Sequence, residues 1–143
     1  MTSPEFVHNG YIPREFTCQG EDVSPELNIE DVPEGTKSLT IIMDDLDAPV
    51  GTWVHWVVFD IAPTTTVIAR NTIPGKQGIN DFGKENYGGP CPPSGKHRYF
   101  FKLYALDKVL SEKGGISKER LVSAMGGHIL AQTELIGFYE KVR

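Results

Sequence analysis

The sequence is poor in basic charge. Fourteen Lys and Arg stand against 19 Asp and Glu, a formal net charge of -5 over 143 residues. That balance argues against a nucleic-acid binder, which needs a basic face to neutralise phosphates, and against electrostatic docking on acidic membranes. No apolar run approaches the ~20 residues of a membrane-spanning helix, so the chain is not expected to be an integral membrane protein. The N-terminus also lacks a basic-then-apolar signal pattern, and a cytoplasmic location is expected. Cysteine is scarce: only Cys18 and Cys91 are present, far apart, and reduced thiols suit a cytosolic domain of this size better than a disulfide. The four histidines, His8, His55, His97 and His128, have no metal-ligand spacing, and neither Cys-x-x-Cys nor His-Glu-x-x-His occurs. No metal and no cofactor are expected. Internal repeats, low-complexity stretches and linkers are also missing, so residues 1–143 read as one domain.

What is present is β-branched and aromatic. Turn residues punctuate the chain about every ten residues, the spacing of an all-β sandwich or barrel. Glu5 to His8 reads as a first short strand, Phe16-Thr17-Cys18 as an edge piece, and Leu27-Asn28-Ile29 as a brief alternating segment. Ser38 to Asp44 predicts a strand buried on both faces, and Trp53 to Ile61 another. Pro63 to Arg70 reads as a loop with a weak strand, Ile73 to Glu85 as an ordered surface excursion, and Arg98 to Leu106 as a strong central strand. One helix is predicted from Ser117, a good N-cap, with Leu121, Val122 and Met125 as its apolar stripe and Gly126-Gly127 as its end. A short helical turn through His128 to Ala131 and a final strand over Glu134 to Glu140 complete the reading.

The functional signal is polar residues in apolar surroundings. Tyr87-Gly88-Gly89-Pro90-Cys91-Pro92-Pro93-Ser94-Gly95-Lys96 can be neither helix nor ladder, because three prolines remove donors and fix φ. It delivers His97 and Tyr99 at the mouth of a strand. His55 lies in Trp53-Val54-His55-Trp56-Val57-Val58-Phe59, where an unpaired imidazole is costly, so it needs a hydrogen-bond partner, backbone included, or a pocket to face. Period-two geometry sets Trp53 and His55 on one strand face, and His97 and Tyr99 on one face of theirs. If those strands are near neighbours, two imidazoles and a phenol converge beside Asp45 and Asp47, at the end of the first buried strand. Ala48-Pro49 follows, and a cis peptide there is one way to aim the aspartates. Imidazole, phenol and loop amides all donate, which suits an oxygen-rich anion such as phosphate. The aspartates would then orient and charge the histidines. Cys91 sits between two prolines with no helix N-terminus to activate it, and Ser94 lacks a nucleophile elbow, so both read as structural.

With those pieces assembled, the chain resembles the phosphatidylethanolamine-binding proteins, of the compact bacterial and archaeal kind also called Raf-kinase-inhibitor-like. The matching stretches are Thr17 to Pro25, Asp45-Leu46-Asp47-Ala48-Pro49, Trp53-Val54-His55-Trp56, Asn80-Asp81-Phe82-Gly83 and the loop through His97-Arg98-Tyr99. The family has proline where Leu46 stands. The resemblance implies a mostly β fold, a β-sandwich of Greek-key sheets with one or two short helices near the C-terminus. It implies a pocket for phosphate-like anions, phospholipid headgroups and phosphorylated groups, formed by Asp45, Asp47, His55, Pro92, His97 and Tyr99 with the backbone at Cys91 on its rim. Binding without turnover is the expected activity. Protein-contact inhibition of kinases or serine proteases is the alternative, and a homodimer is a further implication. A phosphoester enzyme ranks last, since the sequence offers neither a metal site nor a persuasive nucleophile.

Overall fold

A computed structural model describes residues 1–142. Eight strands and one α-helix follow in the order β1 (Gly10–Tyr11), β2 (Leu27–Asn28), β3 (Ser38–Ala48), β4 (Gly51–Ile61), β5 (Val67–Ile68), β6 (Lys76–Gln77), β7 (His97–Leu106), α1 (Lys118–Met125) and β8 (Ile129–Tyr139). Six strands form one sheet in the order β1-β8-β7-β3-β4-β6, and β2 pairs with β5 in a separate two-stranded ribbon. The fold is mostly β. Strand β3 is central, antiparallel to both β4 and β7, and Ser38 to Asp45 are all buried because both sheet faces are covered.

One face carries Leu39, Ile41, Met43, Trp56, Tyr99 and Phe101, packed beneath the ribbon residues Leu27 and Ile68 and beneath Phe16. The other carries Ile42, Val57, Phe59 and Leu106 under α1, through Leu121 and Met125. Ser117 caps α1 by accepting the Arg120 N–H on its hydroxyl at 3.1 Å. The buried stripe is Leu121 and Met125, one turn apart, while Val122 is exposed.

Three local expectations are corrected. Glu5 to His8 is irregular, and the first strand of the sheet comes later, at Gly10–Tyr11, parallel to β8. The segment at Phe16 is no edge strand: Arg14–Phe16 forms a 3-10 turn, closed by the Thr17 hydroxyl on the Arg14 carbonyl at 2.7 Å. His128 to Ala131 is not helical either, because the chain enters β8 at Ile129 and pairs Ala131 with Ala105. The strand expected from Glu134 therefore starts five residues earlier.

The cysteines are a fourth correction. Cys18 and Cys91, 73 residues apart in sequence, are joined by a disulfide with Cα atoms 5.4 Å apart. The fold brings their two loops together, and the sequence separation carried no trace of that.

Candidate functional site

Antiparallel pairing gathers the polar residues at one end of the sheet. The end of β3 supplies Asp45 and Asp47, the start of β7 supplies His97 and Tyr99, and the start of β4 supplies Trp53 and His55. Asp45 lies opposite Tyr99 on one side and opposite Trp53 on the other. Between Met43 and Asp44 the β3–β4 register slips, so that Met43 faces Trp56 while Asp44 faces Val54 and His55 is the extra residue. A bulge of this kind re-aims a side chain. Here His55 and Trp56, neighbours in sequence, both reach the face that carries Tyr99.

β6 pairs β4 only at Val58 and Phe59, and one loop takes up the backbone groups of Val54 and His55. The Gly88 N–H donates to the His55 carbonyl at 3.0 Å and the Asp81 N–H to that of Val54 at 2.9 Å. The Val54 N–H donates to the Asp81 carboxylate at 2.7 Å. Asn80 shapes the loop, its Oδ1 accepting the Phe82 and Lys84 amides, each at 3.0 Å. Phe82 thereby lies edge-on to both His55 and Trp53, with ring centroids 5.3 and 5.6 Å apart.

Asp45, His55, His97 and Tyr99 are all buried. His97 Nδ1–H donates to Asp45 Oδ2 at 2.7 Å, and Asp45 Oδ1 accepts the Asp47 amide at 2.7 Å. His55 Nδ1 meets the Gly88 carbonyl at 2.7 Å. A carbonyl only accepts, so Nδ1 carries the hydrogen and Nε2 is left as the second functional atom of the ring. Burial holds the His55 pKa below the usual histidine value, with the Gly88 bond and the Asp45 charge opposing it. Tyr99 lies between the two imidazoles, 5.3 Å from the His55 ring and 6.5 Å from that of His97. Burial, reinforced by the Asp45 charge, pushes the Tyr99 pKa far up, so the phenol stays a donor. The Asp45 carboxylate and the Cys91 backbone are beside its hydroxyl, yet that buried hydroxyl has no properly formed hydrogen bond.

Asp47 takes a different part from the one expected. Its carboxylate grips Arg98, accepting the backbone N–H and Nε on Oδ2 and Nη2 on Oδ1, all at 2.9 Å. That bonding lowers its pKa from 3.8 to about 2. It ties the rim of β3 to β7 and does not orient an imidazole. The Ala48–Pro49 peptide is trans, and Ala48 pairs with Gly51 across the Pro49-Val50 turn.

Pro92 is buried and Cys91 half-buried in the same loop, Cys91 held by its disulfide to Cys18. Of the expected residues, Asp45, His55, His97 and Tyr99 form the centre, the Cys91 backbone lies beside Tyr99, and Pro92 is the buried residue that follows it. Sequence reasoning left out Phe82, the Gly88 carbonyl, Arg98 and Asp22, whose carboxylate accepts the Gly89 N–H at 2.8 Å. The Asn80-Asp81-Phe82-Gly83 stretch was the available pointer to Phe82.

Comparison with known proteins identifies the fold and the family. Residues 2–140 match the family model described as phosphatidylethanolamine-binding protein. A UPF0098 protein of Methanothermobacter thermautotrophicus is 49% identical, over 95% of each chain. One from Chlamydia trachomatis is 45% identical over 99% of this chain and 98% of its own. The crystal structure of a putative phosphatidylethanolamine-binding protein homolog from Chlamydia trachomatis superposes with a TM-score of 0.96 at 45% identity, covering 99% of this chain and 96% of that one. Escherichia coli YbcL, described as a new member of the mammalian family, superposes at 0.89 with 32% identity, covering 99% and 97%. With the family model spanning nearly the whole chain and relatives this close along it, the chain belongs to the phosphatidylethanolamine-binding protein family.

Proposed function

We propose that the protein binds phosphate-like anions, as free phosphorylated small molecules, headgroups or phosphorylated side chains, without turning them over. The observation that carries this reading is the pair of imidazoles tied back through Nδ1, which turns both Nε2 atoms free beside the buried Tyr99 hydroxyl, itself without a well-formed hydrogen bond. Leaving the phenol donor unpaired costs about 1–3 kcal/mol, which a ligand oxygen would recover. Here both imidazoles are tied back through Nδ1, to Asp45 and to Gly88. Their Nε2 atoms have no hydrogen-bond partner among the described residues, and the phenol beside them is a fixed donor. An anion at this point would take the Tyr99 O–H and, from each protonated ring, an Nε2–H. It would be drawn by donors whose reverse sides are already compensated.

No helix among the described residues is long and apolar enough to cross a membrane. As a separate proposal, binding occurs in the cytoplasm. The test is isothermal titration with inorganic phosphate and O-phosphorylethanolamine, followed in parallel by the NMR signals of the His55 and His97 rings. Saturable heat with both rings responding, and its loss in Tyr99→Phe, is the expected result. A Tyr99→Phe variant that binds as well as the wild type would show that the orphan hydroxyl serves no ligand.

A further inference from the structure

The loop that walls this site is fastened at one covalent point. Cys91 is flanked by Pro90 and Pro92, so its backbone has little freedom, and that backbone lies beside the Tyr99 hydroxyl. Three residues earlier the Gly88 carbonyl fixes His55, and six residues later the chain reaches His97. The other half-cystine, Cys18, is exposed, in the loop that follows the 3-10 turn. Without the disulfide, three hydrogen bonds join the two loops: Cys18 N–H to the Pro90 carbonyl at 3.1 Å, Tyr87 hydroxyl to the Phe16 carbonyl at 2.7 Å, and Gly89 N–H to Asp22 at 2.8 Å. A cleft of about 160 Å³ opens beside the bond, lined by Cys18, Cys91, Asp22, Tyr87 and Lys84. Cys18 and Cys91 both line this cleft, so the bond is reachable from solvent, in a cleft that also carries one acidic and one basic side chain, Asp22 and Lys84.

We infer that the Cys18–Cys91 disulfide is a redox latch on the anion site, closed when oxidised and released by a dithiol reductant. The inference rests on the anion-binding reading of that site. A thiolate of the reductant attacks Cys18 Sγ, the sulfur–sulfur bond breaks, and its electron pair leaves on Cys91 Sγ, which takes up a proton. The reductant's second thiol then attacks the mixed disulfide, freeing Cys18 as a thiol and leaving the reductant as its own disulfide. The reduced loop keeps its three hydrogen bonds but loses the fixed point that places the Cys91 backbone beside Tyr99 and the Gly88 carbonyl against His55. Donors that are no longer preorganised bind an anion less well. Linkage makes the effect reciprocal: an anion that prefers the oxidised form resists its reduction by the same factor.

The test compares inorganic phosphate binding to the oxidised protein, to the dithiothreitol-reduced protein with two free thiols counted, and to the Cys18→Ser/Cys91→Ser double variant. Reduction is expected to weaken binding about 5-fold or more, with the double variant matching the reduced form. The His55 and His97 ring signals should shift on reduction even without phosphate. Saturating phosphate should move the thiol–disulfide equilibrium in a redox buffer by the same factor as the affinity ratio. Equal phosphate affinity in oxidised and reduced protein overturns the latch and leaves the anion site standing. Reduction that melts the whole chain also overturns it, because a latch must leave the fold intact. Absence of phosphate binding in either form overturns the site reading and the latch together.

Discussion

Asp45 and His97 meet at 2.7 Å across neighbouring strands, Oδ2 to Nδ1, with only 5% and 8% of their side chains exposed. A pair this buried is expensive to break from one side, because the remaining partner is left desolvated. Asp45→Ala should destabilise the fold by about 3 kcal/mol. Asp45→Asn, which keeps an acceptor for Nδ1–H, should cost about 1 kcal/mol. Urea unfolding at neutral pH reads both. Equal losses in the two variants would mean that a neutral acceptor at this position does not stand in for the carboxylate.

Asp47 and Arg98 make the contrasting, half-exposed pair. The pKa of Asp47 is lowered to about 2 from 3.8, so the unfolded chain takes up this proton first as pH falls. Its stabilisation is complete above 3.8 and disappears as pH drops through about 2. With the carboxylate 30% and the guanidinium 49% exposed, solvent screening limits the contribution to about 1 kcal/mol or less. Asp47→Asn should therefore lower stability by that amount above pH 3.8, flatten the acid limb of the stability curve within that window and change little below it. A variant with an unaltered acid limb would place the wild-type acid sensitivity elsewhere.

The centre of the site was legible because it breaks the pattern around it. His55 is a polar residue inside a run of buried apolar ones, and His97 and Tyr99 share a parity at the mouth of an aromatic strand. Two-residue periodicity sufficed to bring them together once β3 lay between their strands. Other parts had no local signature. Whether Asp47 faces an imidazole or Arg98 depends on cross-strand register, which two carboxylates in a turn-like motif do not reveal. The disulfide joins residues 73 apart, and an argument from cellular compartment pointed to free thiols. The first half of β8, Ile129 to Glu134, is exposed throughout. It therefore shows no alternation of buried and exposed residues and becomes a strand only through its backbone pairing with β7.

Gly89 has a positional reason that its sequence context of glycine and proline concealed. A Cβ there would stand 2.3 Å from the Phe16 carbonyl oxygen and 2.3 Å from Asp22 Oδ1, the two acceptors that tie this loop to its neighbour. Gly89→Ala must push the loops apart, and a loss of about 2 kcal/mol is expected from overpacking. Gly95, in the same loop, has φ +73° with nothing within 4 Å of its notional Cβ. Gly95→Ala should cost about 1 kcal/mol, from the left-handed backbone alone. Phosphate affinity should fall in the first variant and hold in the second, and titration of both alongside urea melts checks the pair. The opposite order would mean that the contact between the two loops does not shape the site.

His55 allows bracing and binding to be separated within one residue. Asparagine retains an amide N–H near the position of Nδ1, so His55→Asn can still donate to the Gly88 carbonyl while losing Nε2. Burial lowers the His55 pKa from 6.5, so below that pH the unfolded chain binds this proton more readily than the folded one. Stability without anion should decline as pH falls through 6.5, and His55→Asn should remove that part of the slope. Phosphate acts in the opposite sense, because an anion against Nε2 favours the charged ring and draws in the proton. Its protection against thermal unfolding should grow on acidification in the wild type. In His55→Asn that growth should vanish although the protein still folds. Full, equally pH-dependent protection in the variant would reduce His55 to a brace for Gly88 and leave the anion to His97 and Tyr99.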